Sequence, residues 1–108
     1  MDKTLREVCE TFKVSRRAVQ GYEKAGLVSA SGHNQRGYLL YDMESQKRIE
    51  LIKMYQNLGF TIKEIQQIID AEKQEIKYVL VHKLSDLQEQ KKYLEQLINQ
   101  VQGLIQQL

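Results

Sequence analysis

Few side chains in this 108-residue chain belong to the kinds that carry covalent chemistry: one cysteine, Cys9, and two histidines, His33 and His82. Such groups work in sets. A nucleophile needs a base within reach, and a zinc ion needs three or four ligands at short, regular spacings. His33 stands between Gly32 and Asn34 in a turn-like stretch, and His82 falls on the outer face of a long helical pattern. Neither shares a recognisable spacing with Cys9. The cysteine itself lies on the apolar face of a short helical pattern, where a buried core thiol is expected rather than a nucleophile or ligand. Gly-rich phosphate loops and HExxH are absent. No catalytic constellation exists, and neither metal nor cofactor is expected.

Arginine offers a different chemistry. All five arginines lie in the first half, and residues 1–53 hold ten Lys/Arg against seven acids, whereas residues 54–108 hold six against seven. Guanidinium groups suit phosphate oxygens and the guanine edge. Arg16 and Arg17 open a short helical pattern capped by Ser15. A helix start adds free N–H groups and a positive dipole end to their charges. Gln20 lies one turn on, with Lys24 beyond it, so one face of the segment can run along a major groove. Arg36 sits at the tip of a turn-rich stretch and suits a phosphate or the minor groove, with His33 and Asn34 as weaker candidates. Duplex DNA is the expected partner.

These residues need elements to hold them. Leu5, Val8, Cys9 and Phe12 fall at i, i+3, i+4 and i+7, one face of a short helix. Thr4 and Glu7 have the spacing of a capping box. After Lys13 and Val14, Ser15 caps a second helix over Arg16 to Lys24, with Val19 and Tyr22 inward and Gly26 as its C-cap. This is a helix-turn-helix. Residues 29–41 read as a two-stranded hairpin, or wing. Asp42 caps a helix to about Leu58, with Ile49, Ile52, Met54, Tyr55 and Leu58 as its apolar face. Gly59 stops it, and Thr61 with Glu64 opens another helix carrying Ile62, Ile65, Ile68 and Ile69. The last helix runs from about Glu72 to Gln107. Along it Leu80, Leu84, Leu87, Lys91, Leu94, Ile98, Val101, Ile105 and Leu108 alternate steps of 4 and 3. Apart from Lys91 the seam is apolar, and so narrow a stripe needs a partner helix. The fold class is mainly α: a winged helix-turn-helix over 1–71 and a coiled-coil dimerisation helix over 72–108. No run of 18 apolar residues occurs, the start MDKTLREV lacks an apolar signal core, and one cysteine fits a reducing compartment. A cytoplasmic protein is expected.

Val14-Ser15, Tyr22-Glu23-Lys24 with Gly26-Leu27, Arg36-Gly37-Tyr38 with Tyr41, and Leu58-Gly59-Phe60 with Glu64-Ile65 closely resemble, in order and spacing, MerR-type bacterial transcription regulators. The resemblance implies a homodimer joined by an antiparallel coiled coil. It also implies a near-palindromic promoter operator that is bent and untwisted so that RNA polymerase can engage it. By matching position the recognition helix carries Arg16, Arg17 and Tyr22, and the wing carries Arg36 and Tyr38. Tyr22 is a phosphate contact or a core ring. Three positions depart from the family pattern. Gln20-Gly21 stands where Arg-Tyr is usual, Leu39 where an arginine is usual, and Lys13 where glycine makes the turn. The first two imply weaker or altered DNA binding. They slightly favour an alternative, a protein-interaction adaptor that uses the coiled-coil helix. Many relatives carry an effector domain or a paired-cysteine metal loop beyond that helix. Neither is present in this sequence, so an inducer site would be built from the head, the helix and the dimer interface, or lie in a longer protein.

Overall fold

A computed structural model of the chain describes residues 1–108. The order of elements is β1 (Lys3–Thr4), α1 (Leu5–Phe12), α2 (Arg16–Lys24), β2 (Gly32–His33), β3 (Leu39–Tyr41), α3 (Met43–Asn57), α4 (Ile62–Ile68) and α5 (Lys73–Gln106). They form two compact units, Met1–Ala71 and Glu72–Leu108.

In the first unit four of the helix starts are set by short polar side chains. Thr4, Ser15, Asp42 and Thr61 each accept the N–H three residues on. Thr4 with Glu7 and Thr61 with Glu64 close full capping boxes. Each cap satisfies a donor the helix cannot reach and fixes where it begins. Lys13 ends α1 in the left-handed region, at φ 57° and ψ 44°. It takes the place where glycine is usual, and the chain keeps the turn rather than altering it. Lys53 steadies that turn from α3, donating from Nζ to the carbonyls of Phe12, at 2.8 Å, and of Lys13.

The wing is a sheet of three strands rather than the expected two. The order is β1-β3-β2, all antiparallel, with Lys3 opposite Tyr41 and Gly32 opposite Leu40. A strand of two residues has no periodicity to read. Its pairing ties the start of α1 to the base of the wing.

The core is Val8, Val19, Tyr22, Leu27, Tyr41, Ile49, Ile52, Tyr55, Phe60, Ile65 and Ile68, joined at its edge by Val14 and Val28. Two expectations are corrected. Cys9 is half-buried, because α1 covers the core with Val8 and turns its neighbour toward the rim. Met54 is 51% exposed, and Gln46 takes a buried place on α3 instead. Gln46 lies three residues before Ile49, on the same face. Its amide donates to the carbonyls of Met1 and Tyr41, both at 2.8 Å, so a polar group sits inside at little cost.

The second unit is α5, 34 residues long, which rise about 51 Å at 1.5 Å each. None of its residues is buried.

Candidate nucleic-acid interface

Helix α2 is held at both ends. Ser15 Oγ accepts from Ala18 N–H at 3.0 Å. At the far end Gln66 donates to the Ala25 carbonyl at 2.8 Å. Arg48 donates to the Leu27 carbonyl, and its other two nitrogens pair with both oxygens of Asp70 at 2.7 Å. That pairing holds the Asp70 carboxyl below its ordinary range and raises the Arg48 guanidinium. The inward side is anchored by Val19 and Tyr22. Arg16, Arg17, Gln20 and Lys24 are all exposed, and no acid occurs in the first turn. A helix fixed in this way presents its cationic N-terminus as a rigid edge.

Tyr22 must be removed from the contact set. It is 2% exposed, and its hydroxyl donates to Gln56 Oε1 at 2.6 Å. Burial pushes its pKa upward. The ring fills the core under α2, and the open alternative resolves to packing. Tyr41 does the same work beneath the wing: it is fully buried, donates to Glu23, and has its pKa raised by burial and by that carboxylate.

The wing tip is organised by one side chain. Asn34 Oδ1 accepts the N–H groups of Arg36, at 2.9 Å, and Tyr38, at 3.0 Å. Gly37 adopts φ 80°, which a side chain would strain. Asn34 is thereby used for the turn, and Arg36 and Tyr38 project into solvent. His33 is exposed on β2, and His82 is exposed on α5 with its ring against Tyr78 at 4.5 Å.

An open groove of about 700 Å³ brings part of the candidate set together: Arg16 and Gln20 from α2, with Gly37, Tyr38 and Leu39 from the wing. Its remaining wall is the start of α1, including Arg6. Sequence reasoning missed this contribution, because a lone arginine on the first helix has no spacing that marks it. Arg17, Lys24 and Arg36 stand outside this groove.

On α5 the seam residues are open. Leu80 and Leu87 are 36% and 38% exposed, and Leu84, Leu94, Ile98, Val101 and Ile105 are between 55% and 63% exposed. Lys91 and Leu108 are exposed as well. No helix is long and apolar enough to cross a membrane.

Residues 3–72 match the family described as "MerR HTH family regulatory protein", and residues 46–104 match "MerR, DNA binding". The mercuric resistance operon regulatory protein of Bacillus cereus is 30% identical over 63 residues, covering 58% of this chain and 48% of that protein. The chain spans less than half the length of this relative, and about 30% of the nodulation protein NolA of Bradyrhizobium elkanii. Among solved structures, the N-terminal part of the Bacillus subtilis multidrug transporter activator, MtaN, superposes with a TM-score of 0.75 at 23% identity. The match covers 95% of this chain and 97% of that one. HiNmlR, described as a MerR family regulator lacking the sensor domain and bound to promoter DNA, gives 0.74 at 19% identity over 92% and 80% of the two chains. With family models matching residues 3–72 and 46–104, and a fold that superposes on these structures, the chain belongs to the MerR HTH family of regulatory proteins.

Proposed function

We propose that this protein is a cytoplasmic, sequence-specific regulator that binds promoter DNA as an antiparallel homodimer on a near-palindromic operator. Transcription would then be controlled by bending and untwisting the duplex for RNA polymerase. The observation that carries the reading is the exposed start of α2, where Arg16 and Gln20 share a groove with Tyr38 of the wing, while Arg17 and Arg36 stand exposed outside it. Ser15 belongs to the set through the N–H groups it leaves at the helix start, and Lys24 through charge along the same face. Two recognition helices must reach major grooves about 34 Å apart. A rod of about 51 Å with an unpartnered apolar seam is a spacer of suitable length.

The roles divide by chemistry. Arg16 and Arg17 meet base edges and phosphates, Gln20 reads an adenine-like edge, and Arg36 with Tyr38 grips the flanking backbone. The seam from Leu80 to Leu108 joins the two copies, and Lys91 within it favours one register.

The test is binding of the full chain to duplexes selected from a random pool. Arg16→Ala and Arg17→Ala should each weaken the selected site by about 1–3 kcal/mol for each half-site contacted. Equal affinity for both variants and the parent removes α2 as the recognition helix.

A further inference from the structure

The groove between α2 and the wing has an uneven charge. The walls supplied by α2 and the wing include Gln20 and Leu39, which carry none, and Arg16 is the single cation they bring. The other wall is the start of α1, and there Arg6 supplies a second cation. Its side chain is 85% exposed, and its one ion pair is with Glu10 at 3.3 Å, itself 69% exposed. An i,i+4 pair this open to water contributes little, so a phosphate can displace Glu10. The only acid on the groove wall, Glu7, is already engaged: its Oε1 accepts from the N–H and hydroxyl of Thr4 at 2.9 and 3.1 Å.

We infer that Arg6 is a DNA-phosphate contact, supplied by the first helix on the side of the groove where Gln20 and Leu39 offer no cation. In helix-turn-helix docking the first helix crosses the sugar-phosphate backbone while the second enters the groove. Arg6 lies one residue into α1, and β1, paired with β3, ties that end of the helix to the wing. The contact therefore couples the approach of α1 to that of the wing. It carries no sequence information, since every nucleotide offers the same phosphate. This inference rests on the DNA-binding reading above.

The experiment is a salt titration of duplex binding by fluorescence anisotropy, on the selected duplex and on one of random sequence. It compares the parent chain with Arg6→Ala and Arg6→Lys. Each lost phosphate contact should lower the slope of log K against log salt by about 0.9, so the two lost from a bound homodimer should lower it by about 1.8, roughly a sixtyfold loss of affinity at 0.1 M salt. The loss should be the same on both duplexes, and Arg6→Lys should retain the parent's slope. Melting temperatures should stay unchanged, because the side chain is exposed. An Arg6→Ala slope equal to the parent's overturns the assignment, and so does a loss confined to the selected duplex, which would make Arg6 a base reader. A parent chain that binds neither duplex overturns the DNA reading itself, whereas a binding parent with an unaffected Arg6→Ala overturns Arg6 alone.

Discussion

The head, Met1–Ala71, and the rod, Glu72–Leu108, use the same apolar residue types in opposite ways. In the head the apolar faces of the helices are closed by other elements of the same chain, and every buried side-chain polar atom has a partner. In the rod Leu, Ile and Val recur as regularly, yet nothing is buried. The head closes its own apolar faces, while the rod leaves its seam open. A helix of 34 residues that leaves its seam in water gains little from that seam until a second helix covers it. If the rod pairs as proposed, stability of the head is a property of one chain and stability of the rod a property of concentration.

The largest expected effect tests that contrast directly. Ile49 is fully buried, and Ile49→Ala should cost about 2–5 kcal/mol. That cost should be the same at every protein concentration. Ile98 is 55% exposed in the single chain, and Ile98→Ala should leave the melting of the head unchanged. It should instead shift the monomer–dimer midpoint to higher concentration and weaken DNA binding with it. Analytical ultracentrifugation over a dilution series, beside thermal melts at two concentrations, reads both. A concentration-independent cost at Ile98 would break the comparison, because the rod would then be stabilised without a partner.

What could be read beforehand divides along similar lines. Caps and helix faces were legible, since Thr4, Ser15, Asp42 and Thr61 act within three residues of themselves. The rod's seam was legible because it is a pure spacing signal. Contacts made across the head were not. Lys53 reaching Phe12, Arg48 reaching Leu27 and Gln66 reaching Ala25 all span more than twenty residues and have no local pattern. Gln46 could have been found, because its spacing from Ile49 and Ile52 puts it on the buried face. A polar residue there reads as surface, and only its partners show that it is buried. The site was legible where a helix start concentrates charge, at Arg16 and Arg17. It was not where two distant segments meet, at Arg6 and the wing.

Acid should separate the units next. Glu7, Asp42 and Asp70 are all held below their ordinary values, first by the Thr4 backbone, the Ser45 backbone and the Arg48 side chain respectively. A carboxylate with a depressed folded pKa contributes stability that is fully present above its unfolded value. That contribution is lost as pH falls through the folded value. The ordinary values are 4.5 for the Glu and 3.8 for the Asp residues, so the head should weaken progressively below about pH 4.5. All three groups lie in the head, and residues 96–108 of the rod carry no charged side chain. Near-ultraviolet circular dichroism follows the core rings Tyr22, Tyr41 and Tyr55, and should fade before the helical signal does. Loss of both signals together would show that acid does not distinguish the two units.

The smallest effect lies at the turn between α1 and α2, where the head departs from an economical local solution. Lys13 holds φ 57° with a full side chain, which costs an L-residue about 1–2 kcal/mol. Glycine would remove that strain but would add about 0.5–1 kcal/mol of chain entropy to the unfolded state. The difference predicts that Lys13→Gly stabilises the head by roughly 0.5–1 kcal/mol, visible as a raised denaturation midpoint with an unchanged m-value. The Lys53 bonds to the Phe12 and Lys13 carbonyls involve the backbone, so they survive the substitution and cannot mask the gain. A destabilised Lys13→Gly would mean that the lysine side chain contributes more to the turn than its strain removes. The head would then depend on a contact outside its core.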